Sequence, residues 1–171
     1  MVMSIIKKEK VSVGILLILT VAFLSGCSES NDQAWGSAPD FTLPTIDSGI
    51  FTLSDNSGKI ILIDLMAAWC YWCLPQMEEL EAVLEEKGNE IIIISVGVEK
   101  SETFDDIQQK FGDYTDKWIF LLDNYDEDVA SKYEVHGIPR LVFIDKKGDI
   151  AFSHEGLMDK NDIISEIDKI K

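Results

Sequence analysis

The chain has 171 residues, room for one domain with a real hydrophobic core and too few for two comfortable ones. Hydrophobic residues make up 46% and charged residues 27%, which excludes a disordered or fibrous protein. Lys and Arg number 15 against 31 Asp and Glu, a formal net charge of -16, so no nucleic-acid partner is expected and anionic lipid is repelled at long range.

Lys7, Lys8 and Lys10 precede an almost wholly apolar run from Val11 to Leu24, the order of an export signal. That run is about fourteen residues, short of the roughly 20 a membrane-spanning helix needs. It ends in Leu24-Ser25-Gly26-Cys27, which resembles the lipobox of bacterial and archaeal lipoproteins, where the peptide is cut before the cysteine and the thiol carries lipid. The resemblance implies a lipoprotein signal peptide over 1–26, lipidation at Cys27 and an extracytoplasmic domain anchored to the membrane through that lipid. Each buried methylene of such a chain adds about 0.8 kcal/mol. An uncleaved signal anchor would also export the domain. Loss of 1–26 removes three Lys and one Glu, so charge cannot be what holds the mature chain to a bilayer. Residues 27–37 are small and polar and read as a flexible tether with a reach on the order of 15 to 20 Å.

Phe41-Thr42-Leu43 and Phe51-Thr52-Leu53 alternate around Asp47-Ser48-Gly49, predicting an opening β-hairpin. Ile60 to Met66 is a short apolar run of the kind that forms a central strand covered on both faces. A helix is expected from about Tyr71 to Lys87, with Met77, Leu80, Val83 and Leu84 at helical spacing and Gly88 as its stop. Ile91 to Val96 predicts a second buried strand, Glu102 to Phe111 a helix, Trp118 to Leu122 a third strand and Glu127 to Tyr133 a short helix. Leu141 to Ile144 and Ile150 to His154 predict a hairpin turning at Lys146-Lys147-Gly148-Asp149, and Asn161 to Ile170 a closing amphipathic helix. The result is an α/β domain, a mixed central sheet flanked by helices, with no Gly-rich phosphate loop.

Trp69-Cys70-Tyr71-Trp72-Cys73 falls where the first buried strand hands over to its helix. A thiolate at a helix N-terminus faces unpaired N–H groups and the positive end of the macrodipole, which lowers its pKa from about 8.5 toward 7 or below. Cys70 is therefore the expected nucleophile, and Cys73, one turn on and more buried, the resolving thiol. The same spacing opens many zinc motifs, but there is no second Cys pair and only His136 and His154 remain as nitrogen ligands, so no metal is expected. So short a loop would also constrain the unfolded chain weakly as a permanent structural disulfide.

Residues Ile61 to Cys73 resemble the active-site segment of the thioredoxin superfamily, and Ala38-Pro39-Asp40-Phe41-Thr42-Leu43 with Phe51-Thr52-Leu53 resembles the opening hairpin of its TlpA/ResA-type branch. The likeness runs from Ala38 to the end, and implies a thioredoxin-like fold over 38–171. With the export signal it implies a thiol-disulfide oxidoreductase, needing no cofactor, that reduces or isomerises disulfides of exported proteins. Apocytochromes c are the best-known family substrates, and a membrane electron donor would recharge the dithiol. Gly137-Ile138-Pro139 resembles the family's cis-proline loop, in which the residue before Pro139 pairs with an extended substrate strand. Arg140 stands where the family often has Thr, to place a cation near the thiols or to point to solvent. Asp64 matches the buried acid of thioredoxin, and burial would raise its pKa and let it relay the proton of Cys73. Glu99 resembles in position the glutamate that TlpA/ResA-type proteins place beside their thiols, with the spacing around Gly97 off by about one residue; either acid could be the acceptor. Trp69, Tyr71 and Trp72 offer aromatic surface to a polypeptide, with at least one expected to pack into the core. Tyr71-Trp72 replaces the Gly-Pro or Glu-Pro of many reductases, and Pro75 comes earlier than the family's usual helix proline.

Two other functions compete. A peroxiredoxin-like peroxide reductase would share the fold and the Ala-Pro-Asp-Phe opening, but Ala67 occupies the position of its peroxide-binding Thr. A metal or haem carrier would use Cys70, Cys73 and His136 and would bind metal without turnover.

Overall fold

Alternating side chains can bury one face of a two-stranded ribbon and leave the other wet. In the computed structural model, which describes residues 36–171, β1 (Thr42–Pro44) and β2 (Ile50–Thr52) pair antiparallel with Leu43 opposite Phe51, as the sequence predicts. Phe41, Leu43, Phe51 and Leu53 are all buried. Residues 1–26, Cys27 and the tether as far as Trp35 lie outside the described residues. Gly36 and Ser37 hydrogen-bond to the turn at Gly148–Ile150, so the backbone contacts of the domain begin two residues before Ala38.

Strand β3 (Ile60–Met66) is buried along its whole length because it is central. It pairs parallel with β4 (Ile91–Gly97), in a register that sets Asp64 beside Ser95, and β4 pairs parallel with β5 (Ile119–Leu122). On its other side β3 runs antiparallel to β6 (Arg140–Ile144), which pairs with β7 (Ile150–Glu155) to give the order β5-β4-β3-β6-β7. This is the expected thioredoxin-like mixed sheet.

Helices α1 (Cys73–Lys87), α2 (Phe104–Phe111) and α4 (Lys160–Lys169) cover one face, packing Met77, Leu80, Val83, Ile107, Phe111, Ile163 and Ile167 on Ile60, Leu62 and Met66. The hairpin and α3 (Val129–Lys132) cover the other, against Ile61, Ile63 and Leu65. Because strand residues alternate faces, Asp64 lies on the α1 side with Leu62 and Met66. Three helices start later than the sequence predicts, or end sooner. α1 starts at Cys73, with Trp72 as its N-cap, rather than near Tyr71. α2 starts at Phe104, because Thr103 and Asp106 form a reciprocal capping box that leaves Glu102 outside. α3 shrinks to one turn, because the Asp123 carboxylate takes the N–H groups of Val129 and Ala130 and Asp128 has φ 46. No helix of the described residues is long and apolar enough to cross a membrane.

Candidate active site

Cys70 sits in the turn between β3 and α1, closed by the Cys70 N–H on the Ala67 carbonyl at 3.0 Å. Its sulfur is bonded to that of Cys73, with the two Cα atoms 5.4 Å apart. It also accepts the backbone N–H of Cys73, the first of α1, at 3.2 Å. The nucleophile thus precedes the helix and faces its open N–H groups, the geometry that favours a sulfur anion. Cys70 is 3% exposed and Cys73 fully buried.

The aromatic flank corrects one expectation. None of the three rings enters the core: Trp69, Tyr71 and Trp72 are 69%, 76% and 57% exposed. The space beneath the turn is already filled by Ala67, Cys70 and Cys73, so the large rings are turned outward around the cysteines. Tyr71 and Trp72 pack edge to face, centroids 5.1 Å apart. The Ile138–Pro139 bond is cis; Pro139 is buried, Ile138 half-buried, and the Pro139 carbonyl accepts the Gly156 N–H at 2.8 Å. Arg140 takes neither course the sequence suggests. Its guanidinium donates to the Glu134 carbonyl and the Ser153 hydroxyl, bracing the loop that carries Ile138 and Pro139.

The two candidate acids differ sharply. Asp64 is fully buried, and burial pushes its pKa up to about 7 against the opposing pull of a hydrogen bond from Ser95. Its Oδ2 accepts the Ser95 hydroxyl at 2.9 Å, while Oδ1 has no partner. Glu99 is half-buried in the loop after β4, and hydrogen bonds from the Ser101 hydroxyl and N–H, with a smaller one from Trp69, hold its carboxyl below its usual range. Glu99 is therefore the weaker base.

Several residues at the site escaped the sequence. Glu102 reaches back to the turn, accepting the Ala68 N–H at 2.7 Å; burial raises its pKa although the Ala68 and Trp69 N–H groups oppose that. Trp118 donates its indole N–H to Ser95 at 3.0 Å, and Gln76, buried in the first turn of α1, exchanges two hydrogen bonds with the Met158 backbone. Ser95 is the one with a readable signal, as the single polar residue of an apolar strand. Among the described residues no three His, Cys, Asp or Glu side chains gather as a metal cage, so Cys70, Cys73 and His136 are not brought together as a ligand set.

This arrangement can exchange disulfides: an attacking sulfur at a helix N-terminus, a buried partner thiol, a buried acid near neutrality and an exposed apolar rim. The Redoxin family model matches residues 33–170. The thiol-disulfide oxidoreductase ResA of Geobacillus kaustophilus is 31% identical over 166 residues, covering 92% of this chain and 92% of that protein. The thioredoxin-like protein YneN of Bacillus subtilis is 28% identical over 163 residues, covering 91% and 95%. A crystal structure from Chlorobium tepidum, described as a thiol:disulfide interchange protein DsbE, superposes with a TM-score of 0.66 at 25% identity, covering 80% of this chain and 96% of that one. The chain belongs to the Redoxin family and is a ResA/DsbE-like thiol-disulfide oxidoreductase with the Cys70–Cys73 pair.

Proposed function

We propose that the chain reduces disulfides of exported proteins, apocytochromes c being the candidate class, from a position outside the cytoplasm where lipid on Cys27 tethers it to the membrane. In the first step the Cys70 thiolate attacks a substrate disulfide; the Cys70–substrate S–S bond forms and one substrate sulfur leaves as a thiolate that takes a proton from solvent. In the second, Cys73 gives up its proton to Asp64 and its thiolate attacks Cys70. The Cys70–Cys73 bond forms, the mixed disulfide breaks, and the second substrate sulfur leaves with the electron pair and takes a proton from solvent, to which Asp64 returns the one it received. The substrate gains two electrons and two protons, and a membrane electron donor must return two electrons to the disulfide. Trp69, Tyr71, Trp72 and Ile138 are the surface on which the substrate strand would lie.

The observation that carries this reading is the Cys70 sulfur lying on the Cys73 N–H, with a buried carboxyl of pKa about 7 on the same side of the sheet. The export signal and Cys27 support the location, and the ResA likeness supports the reaction type.

Titrating the Cys70–Cys73 couple against glutathione or dithiothreitol, with Cys70→Ser as control, tests the direction. A potential near or below about -250 mV supports a reductase, and one near about -120 mV would make the chain an oxidant. No reversible two-electron couple, or metal held on both cysteines, would overturn the oxidoreductase assignment. Labelled fatty acid fed to expressing cells should enter the chain and fail to enter Cys27→Ala; equal labelling of both would remove the lipid anchor.

A further inference from the structure

Among the described residues Asp64 has a single hydrogen-bond donor, Ser95, and that donor is itself constrained. The Ser95 hydroxyl lies 2.9 Å from Asp64 Oδ2, 3.0 Å from the Trp118 indole nitrogen and 3.9 Å from the Met77 sulfur. An indole N–H can only donate, so Trp118 occupies a lone pair of the Ser95 oxygen and the hydroxyl must turn its one proton elsewhere. Two acceptors compete for it. A carboxylate at 2.9 Å outweighs a thioether at 3.9 Å, because charge-assisted hydrogen bonds are about twice as strong as neutral ones and thioether sulfur is a weak acceptor. The bond therefore runs from Trp118 to Ser95 to Asp64.

This fixes where Asp64 can be protonated. A proton on Oδ2 would have to donate to the remaining lone pair of Ser95 and turn the Ser95 proton from a carboxylate at 2.9 Å to the weak Met77 acceptor at 3.9 Å, whereas Oδ1 is buried with no partner and costs no such exchange. We propose that Ser95 and Trp118 are positioning residues of the resolving step: Trp118 aims the Ser95 hydroxyl at Asp64 Oδ2, and so leaves Oδ1 as the oxygen that takes the Cys73 proton. The proposal rests on the reading that Asp64 is the proton acceptor. No Lys, Arg, His, Asp or Glu acts on Asp64 by its charge among the described residues. The elements around it bring Ser95 from β4, Leu141 from β6, and Trp118 from just before β5, while Cys73 and Met77 of α1 belong to the same core cluster; the titratable groups on that face include the cysteine pair, Tyr114, whose ring packs on Trp118, and Glu102, held at the Ala68 turn.

The balance of the step is that of the second half-reaction. Cys73 loses its proton to Oδ1, its sulfur bonds to Cys70, and the electron pair of the broken mixed disulfide leaves with the substrate sulfur. Asp64 must be a carboxylate to accept. Removing the Ser95 bond takes away what opposes burial, so more of Asp64 is protonated at neutral pH and less is available as base.

The test uses the full chain in detergent, reduced, and a chromogenic aromatic disulfide as substrate. Thiolate release is biphasic: a first burst from attack by Cys70 and a second from resolution by Cys73. The Asp64 carboxyl is followed separately by carbon-13 NMR, assigned with Asp64→Asn. In Ser95→Ala the proton affinity of Asp64 should rise about tenfold, and the second burst at pH 7 should slow about fivefold relative to the first, with its pH midpoint moved toward the alkaline side. Trp118→Phe should give a smaller shift of the same sign, about threefold, and Ser95→Thr should restore the wild-type profile. Unchanged Asp64 affinity and second burst in Ser95→Ala, or in Trp118→Phe if Ser95→Ala does not fold, would overturn the proposal while leaving the dithiol reaction intact. An Asp64→Asn chain with the wild-type pH profile would instead remove Asp64 as acceptor. Loss of biphasic release from the wild-type chain would remove the dithiol mechanism itself.

Discussion

The backbone N–H of Cys73 donates to the sulfur of Cys70 at 3.2 Å, so the resolving residue supplies, through its backbone, the bond that favours an anion on the attacking one. The two thiols therefore have separable roles. Cys73→Ser keeps that N–H and the nucleophile but cannot resolve, so it should accumulate a mixed disulfide with substrate, visible by mass under non-reducing conditions. Cys70→Ser should trap nothing. Equal trapping by both variants would make the cysteines interchangeable and contradict the assignment.

Asp64 should make the oxidised protein less stable as pH rises. Its folded pKa, about 7, lies above its unfolded value, about 3.8, so the folded state holds the proton more tightly. The stabilisation this gives is fully present below about pH 4 and is lost as pH climbs through about 7. A shift of this size corresponds to up to about 4 kcal/mol. Asp64→Asn removes the dependence and still accepts from Ser95, but its amide puts a buried N–H where Oδ1 has no partner, a cost of about 1–2 kcal/mol. Urea unfolding at pH 8 should therefore find Asp64→Asn the more stable by about 2–3 kcal/mol, with the advantage shrinking toward pH 5. A constant difference across that range would place the titration elsewhere.

The central strand was legible to the residue: Ile60 to Met66 is apolar enough that only a strand covered on both faces can bury it, and β3 has those bounds. The pairing of Asp64 with Ser95 was half legible. Asp64 and Ser95 are each the fifth residue of an apolar run, and parallel pairing in register from Ile60 and Ile91 makes them neighbours, yet no periodicity states the register of two separate strands. Trp118 read as the opening of a strand, because its hydrogen bond to Ser95 exists only after β4 and β5 pair. Glu102 read as the first residue of a helix. The capping box at Thr103 and Asp106 expels it, and its carboxylate then meets the Ala68 N–H across 34 positions of sequence. The aromatic surface was expected, but that all three rings turn outward was not, for a steric reason: composition says that large rings seek burial, but small Ala67 and the two cysteines had already closed the space.

Trp69, Tyr71 and Trp72 spend their surface on solvent, which favours contact with a partner and costs the fold little. Trp72→Ala and Tyr71→Ala should each move stability by less than about 1 kcal/mol. Turnover of a polypeptide disulfide should fall about tenfold in kcat/KM, mostly through KM, as expected when a ring that packs on the bound chain is lost. A small aromatic disulfide, which has no flanking chain to lie along the rings, should be reduced at close to the wild-type rate. Equal losses on both substrates would mean that the rings shape the cysteine turn and do not hold the polypeptide.

Gln76 ties the loop before α4 to the first turn of α1, three residues beyond Cys73. Its side-chain amide donates to the Met158 carbonyl at 3.1 Å and accepts the Met158 N–H at 2.9 Å, all in a buried setting. Gln76→Ala strands both backbone groups and should cost about 2–4 kcal/mol. Gln76→Glu separates hydrogen bonding from packing, because the protonated acid has one donor and one acceptor, as the amide does here, and the carboxylate has acceptors only. A carboxylate would set a charge against the Met158 carbonyl, so its folded pKa should lie above the unfolded value of about 4.3. The sign follows: Gln76→Glu approaches wild-type stability below about pH 4 and falls behind it as pH rises. Urea unfolding of wild-type, Gln76→Ala and Gln76→Glu at pH 4 and pH 8 measures this. If Gln76→Glu matched the wild type at pH 8, the Met158 carbonyl would not need a donor, and packing alone would hold the loop.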